Sequence, residues 1–222
     1  MNILIKYKDL LIETLKENKK LIGIFTALFF IIAIATYFFS INTISSNYNA
    51  FKSAMTPGLN TPSAPKSPLD LFLNNSRSVL FSYFGGIFFG IISIFSLITN
   101  SFSLGAQTAS FGFIQANGTL RYILYIIPHG IFEITGTILG PVSGIILFKF
   151  VWKFLKDLIK GKEGGFKEKL STAYHNNKKI LIQSFVLMIF CIILMLIAAP
   201  IESYISNAFS NLILGPAPPI SI

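Results

Sequence analysis

Three ionisable side chains stand in apolar surroundings and could do chemistry: His129, Glu133 and Glu202. His129 and Glu133 are four residues apart in IIPHGIFEITGTILG, so a helix carries both on one face. Glu202 follows Pro200 at the end of a long apolar run. A carboxylate inside a bilayer costs on the order of several kcal/mol, so such a group is protonated, paired or wet. An imidazole beside carboxylates can carry a proton or hold a polar ligand or substrate. We therefore expect the three to form one polar cluster on the outer side of a helical bundle. Two other uses fit the same residues. Pro128 frees a backbone carbonyl of the preceding turn, and His129 can repair it while Glu133 bonds Arg121, a Ser or Thr, or a neighbouring helix, which glues the bundle. A partner interface is the third. A metal centre needs three or four ligands, and His175 lies in a distant basic segment, so neither a metal nor a cofactor is expected. The chain has no GxSxG, no HExxH and no Asp pair in its apolar runs, which argues against an enzyme.

The elements that must position these groups are membrane helices. Of 222 residues 53% are hydrophobic and only 12% charged, against about 25% charged in an average soluble domain. Mean hydropathy is +0.67. A soluble core of this size could not hide so much apolar surface. Cys191 is single and lies in an apolar run, so it reads as a small buried hydrophobe. The formal charge of +9 could suggest nucleic acid, but its placement does not. Nine of the eighteen basic residues fall between Lys149 and Lys179 and five more precede Leu21, flanking apolar runs as the positive-inside rule demands. No nucleic-acid partner is expected.

The fold class is all-α: an integral membrane helical bundle of about five spans with interfacial amphipathic helices. Residues 1–20 form an amphipathic N-terminal helix, lying flat in the headgroups, with Leu4, Tyr7, Leu11 and Leu15 as its stripe. The stretch 21–39 is too long for a cleavable signal segment and reads as the first span. Pro57, Pro62, Pro65 and Pro68 mark a polar extracytoplasmic loop over 40–78. Further spans are expected at 79–99, 102–117, 120–148 and 180–199, all within one transmembrane domain over 21–205. The lysine-rich loop 149–179 is cytoplasmic and contacts anionic headgroups. Trp152, Leu155 and Ile159 line one helix there, and Phe166, Leu170 and Tyr174 line a second after the GKEGG turn. Residues 206–222 are a C-terminal tail. Pro128 and Gly130 should break or kink the fourth span, while Gly136, Gly140 and Gly144 form a packing ladder along it.

The run IIPHGIFEITGTILG, with its Pro-His-Gly-x-x-Glu pattern, resembles the signature of the stage II sporulation protein M family. FLNNSRSVL at 72–80 is similar to the family's Asn-bearing entry to a span, through Asn74 or Asn75. ITNSFSLGA, containing Asn100, resembles its Asn-Gly turn with Ser101 in place of the glycine. IAAPIESYI matches its closing small residues followed by Glu. The resemblance covers roughly residues 20–205. It implies five spans and a multi-pass plasma-membrane protein. It also implies a scaffold or assembly role, since sporulating members act in a complex with cell-wall hydrolases during engulfment. Protein partners in the membrane or envelope follow, and a homo-oligomer is compatible. The alternative is a small transporter or channel-like protein whose outward-facing polar pocket holds His129, Glu133 and Glu202.

The lysine asymmetry makes a topological prediction: the N-terminus and 149–179 are cytoplasmic, and 40–78 and the C-terminus are outside. Cysteines placed singly at Ser53 and Lys162, in a Cys191→Ala background, should be labelled from opposite faces of the membrane. Labelling of both from one face would overturn the orientation.

Overall fold

The computed structural model describes residues 3–59, 67–161 and 165–216. Every regular element among them is helical, in keeping with the expected all-α class. In chain order they are α1 (Ile3–Glu17), α2 (Lys19–Ser46), α3 (Tyr48–Leu59), α4 (Pro68–Gly85), α5 (Ile91–Ile114), α6 (Gly118–Lys160), α7 (Phe166–Ile201) and α8 (Asn207–Leu214). A π turn at Glu202–Ser206 joins α7 to α8. By length and composition, three described helices suit a membrane crossing: Lys19–Ser46, Gly118–Lys160 and the continuous Phe166–Leu214. Helix α4 is more polar, whereas the 24-residue α5 carries no charged residue.

Several boundaries differ from those read in the sequence, each for a physical reason. The expected span 79–99 is divided, because α4 ends at Gly85 and α5 begins at Ile91. Between them the chain reverses through 86–90, with Phe89 at φ 55° and Gly90 at φ 70°. Hydropathy alone cannot see this turn, since Ile87, Phe88 and Phe89 keep the run apolar. The expected span 102–117 falls mostly inside α5. Of the expected loop 40–78, residues 40–46 belong to α2, 48–59 to α3 and 68–78 to α4, while Pro62 and Pro65 lie outside the described residues. Pro68 is helical because it opens α4, where a missing N–H costs nothing. Ser67 caps that start, accepting from the Asp70 N–H at 3.1 Å and donating to Asp70 Oδ2 at 2.7 Å. The basic segment 149–179 takes in the end of α6 and the start of α7; residues 162–164, within the expected GKEGG turn, lie outside the described residues.

By packing, the chain forms two compact units. The first comprises the described parts of Met1–Thr26, Ser76–Leu97 and Thr135–Leu194. Its core is Tyr83, Leu147 and Met188, with Leu80, Phe150, Leu181, Ile189 and Ile192 packed around them. The glycine ladder works at one end of this core. Gly136 is buried, Gly140 has room beside Val79, and Gly144 is pressed against Ser82 and Ser93. A Cβ on Gly86 would overlap the Gly144 carbonyl, so two backbones touch at this point. Ser93 donates to the Ser82 carbonyl at 2.7 Å and closes the same contact. Helix α1 docks onto α7: Tyr7 donates to the Val186 carbonyl at 3.1 Å. Lys179 bridges Glu13 and Glu17 at 2.7 and 2.6 Å, and Gln183 donates to Glu17 at 2.7 Å. The hydrogen bonds from Lys179 and then Gln183 hold the Glu17 carboxyl below its ordinary range.

The second unit comprises the described parts of Ala27–Asn75, Ile98–Ile134 and Met195–Ile222. Here Gly105 lets α5 close on the Ala33 carbonyl of α2, where a Cβ would clash. Phe113 of α5 meets Tyr48 and Phe51 of α3, with ring centroids 6.4 and 6.1 Å apart. Phe111 stacks on Tyr122 at 4.4 Å and ties α5 to the start of α6.

The glycine contacts predict unequal costs for one methyl group. Gly86→Ala forces two backbones apart and should destabilise by about 1–3 kcal/mol, whereas Gly140→Ala meets ordinary contacts and should cost far less. Thermal unfolding of both variants in detergent checks this, and equal melting temperatures would contradict it.

Candidate functional site

The first half of α6 carries a polar face through an apolar helix. Tyr122, Tyr125, His129 and Glu133 recur at steps of three and four, which keeps them aligned. Opposite them runs Glu202, Ser206, Ser210 and Asn211, from the π turn into α8. Pro200 supplies the local cause of that turn, because its ring cannot donate to the helix and the ladder widens just after it. The Ser206 hydroxyl donates to the Ile201 carbonyl at 3.3 Å, five residues back. All these residues belong to the second unit.

The structure brings His129, Glu133 and Glu202 together: one ligand-type atom from each lies within 4.8 Å of the others. His129 is 4% exposed and the two carboxylates are half-buried. His129 Nδ1 lies 2.8 Å from Ser206 Oγ, and its Nε2 lies 3.5 Å from Glu133 Oε2. Tyr125 donates to Glu202 Oε1 at 3.0 Å and packs its ring edgewise on the imidazole at 5.3 Å. The Asn75 side chain lies beside Glu133. His129 and Glu202 thus each have a second polar group holding their orientation. Such an arrangement can pass a proton, bind a polar ligand or hold a cation.

Arg121 does not pair with Glu133. Its guanidinium donates to Asn211 Oδ1 at 2.8 Å and to the Gly215 carbonyl at 3.1 Å from both terminal nitrogens, with Pro216 at 3.5 Å. Being three turns earlier on α6, it reaches the chain end instead of the cluster. That contact also orders the start of the expected tail 206–222, where α8 forms; residues 217–222 lie outside the described residues. Pro128 and Gly130, where the sequence suggests a break or kink, lie within the continuous helix α6. Asn74 and Asn75 lie inside α4 instead of preceding a span, with Asn74 donating to Asn75 at 3.5 Å. Asn100 sits within α5, away from its ends. Sequence reading passed over Tyr125, Ser206 and Asn211. The tyrosines were visible in principle, as the upstream members of the periodic face that ends in His129 and Glu133.

The stage II sporulation protein M family matches residues 25–207. The chain belongs to that family. A further relative, an uncharacterized protein of Methanocaldococcus jannaschii, is 30% identical over 195 residues, covering 86% of this chain and 97% of that protein. No solved structure matches. Two of the four segments that carried the family resemblance, 126–140 and 197–205, meet in the cluster, through His129, Glu133 and Glu202.

Glu133 separates shape from charge. Glu133→Gln keeps the size and the hydrogen-bonding capacity beside Asn75, and should shift stability by less than about 1 kcal/mol. Glu133→Leu leaves buried polar neighbours unpaired and should cost about 1–3 kcal/mol. Melting curves of both variants in detergent provide the check, and a tolerated Leu would mean the cluster bears no structural load.

Proposed function

We propose that this membrane protein is a polytopic scaffold or assembly component of a cell-envelope complex, without catalysis of its own. It sits in the plasma membrane with its N-terminus and residues 149–179 in the cytoplasm and its C-terminus outside. The observation that carries the reading is the family match over 25–207, because the resemblance implies a scaffolding role. Surface chemistry supports it. Trp152, Leu155, Ile159 and Phe166 are exposed on the α6–α7 hairpin among the lysines, a surface suited to anionic headgroups and to a protein partner. Phe30, Phe38 and Phe39 of α2 are likewise exposed and available to lipid or to another membrane helix.

The buried polar cluster favours a second reading, a small transporter or channel-like protein. Irregular helices near membrane depth are where transporters place their sites, and the π turn at Glu202–Ser206 widens one long helix beside the cluster. One experiment separates the two. After crosslinking in native membranes and mild detergent extraction, the scaffold reading expects an envelope protein to co-purify in fixed ratio, unaffected by Glu133→Gln. A chain that elutes alone, and whose proteoliposomes pass a solute only with Glu133 intact, would assign it to transport.

A further inference from the structure

We infer that His129, Glu133 and Glu202 form a binding site for one divalent transition-metal ion of the zinc class, a property beyond the scaffold role and independent of it. The inference starts from the hydrogen atom on Ser206. That hydroxyl donates to the Ile201 carbonyl, so its oxygen is left to accept from His129 Nδ1–H at 2.8 Å. A neutral imidazole with hydrogen on Nδ1 has a bare lone pair on Nε2. That lone pair faces Glu133 Oε2 at 3.5 Å, acceptor toward acceptor. With Glu133 ionised, such a pair is held together by a positive centre between its members; the alternative is a proton on Glu133 itself.

The distance says which centre fits. A direct hydrogen bond would draw the atoms to about 2.7–3.2 Å. A tetrahedral ion with ligands at about 2.0–2.2 Å holds neighbouring ligand atoms roughly 3.4 Å apart. The Nε2–Oε2 separation of 3.5 Å matches the second spacing, and Glu202 adds a third ligand atom within the 4.8 Å limit. Charge points the same way. Two half-buried carboxylates face a neutral imidazole, while the guanidinium of Arg121 is committed to Asn211 and the carbonyls of Gly215 and Pro216. A divalent ion balances both carboxylates. One imidazole and two carboxylates, with no sulfur, suit zinc, manganese or iron(II) better than copper(I).

The outer contacts follow the pattern of metal ligands held from behind. Ser206 fixes the ring through its far nitrogen, and Tyr125 donates to one oxygen of Glu202. Three protein ligands leave at least one coordination position for water or for a ligand of the partner complex. Sequence arithmetic pointed away from a metal because the chain offers one intramembrane histidine and two glutamates. The fold gathers all three at one place.

The test uses the full chain, purified in detergent through a tag without histidines and loaded with Zn²⁺ or Co²⁺. One ion per chain is expected by elemental analysis, and Co²⁺ should show the intense visible bands of a low-coordinate nitrogen–oxygen site. Ser206→Ala should weaken affinity about 10–100-fold while His129→Ala abolishes stoichiometric binding. A control at His175, in the basic hairpin, should leave binding unchanged. If His129→Ala fails to fold, the wild-type spectrum decides alone, since it needs no variant. A wild-type chain that stays metal-free after loading, or His129→Ala that folds and retains the ion, overturns the site and identifies the cluster as carboxyls sharing a proton. Loss of the site would leave the co-purification result untouched.

Discussion

A neutral imidazole has one hydrogen to give, and where it gives that hydrogen decides what its other nitrogen can do. His129 Nδ1 lies 2.8 Å from the Ser206 hydroxyl across the gap between α6 and the π turn, and with that hydroxyl turned to the Ile201 carbonyl the imidazole is the partner left to give. The candidate site depends on this bond. It pins the ring on α6, points Nε2 at Glu133 and joins α6 to the segment after Pro200. Tyr125 then meets Glu202 at 3.0 Å because the same two segments are already in register. In water the His129–Ser206 bond would be worth little net. At 4% exposure water competes poorly for either partner, so the orientation is set by the fold.

The cluster shows how far the amino-acid order can be read. The i, i+4 spacing of His129 and Glu133 requires a shared helix face, and the cost of burying a carboxylate requires a partner for Glu133. Both statements follow from local rules. That Glu202 would be the neighbour depended on how α7 packs, and Ser206 entered only because a widened turn rotated it inward. A π turn depends on where one hydrogen-bond ladder slips, and a hydropathy profile carries no trace of such a slip.

The span boundaries failed for a related reason. Length counting treats every apolar residue as helix, yet Phe89 and Gly90, both at positive φ, let the chain reverse inside an apolar run. The reverse error fell on the proline-rich stretch. Pro57 lies in the last turn of α3 and Pro68 at the first position of α4, and only the second has the sequence signature of a helix start. Helix class was legible throughout, because the bilayer leaves few other ways to satisfy backbone groups in such apolar sequence. Where each helix stops was not.

Arg121 has a consequence for how this end of the chain can vary. Its charge is met by backbone carbonyls of Gly215 and Pro216 and by the side chain of Asn211, with no carboxylate among those partners. Every residue type owns a carbonyl, so side-chain drift at position 216 leaves the guanidinium satisfied. Gly215 is more constrained, at φ 73°. Losing the chain beyond Leu214 would leave a guanidinium that is only 7% exposed with Asn211 as the one remaining of these partners. At this terminus natural variation should therefore be read as a matter of reach and length more than of residue identity.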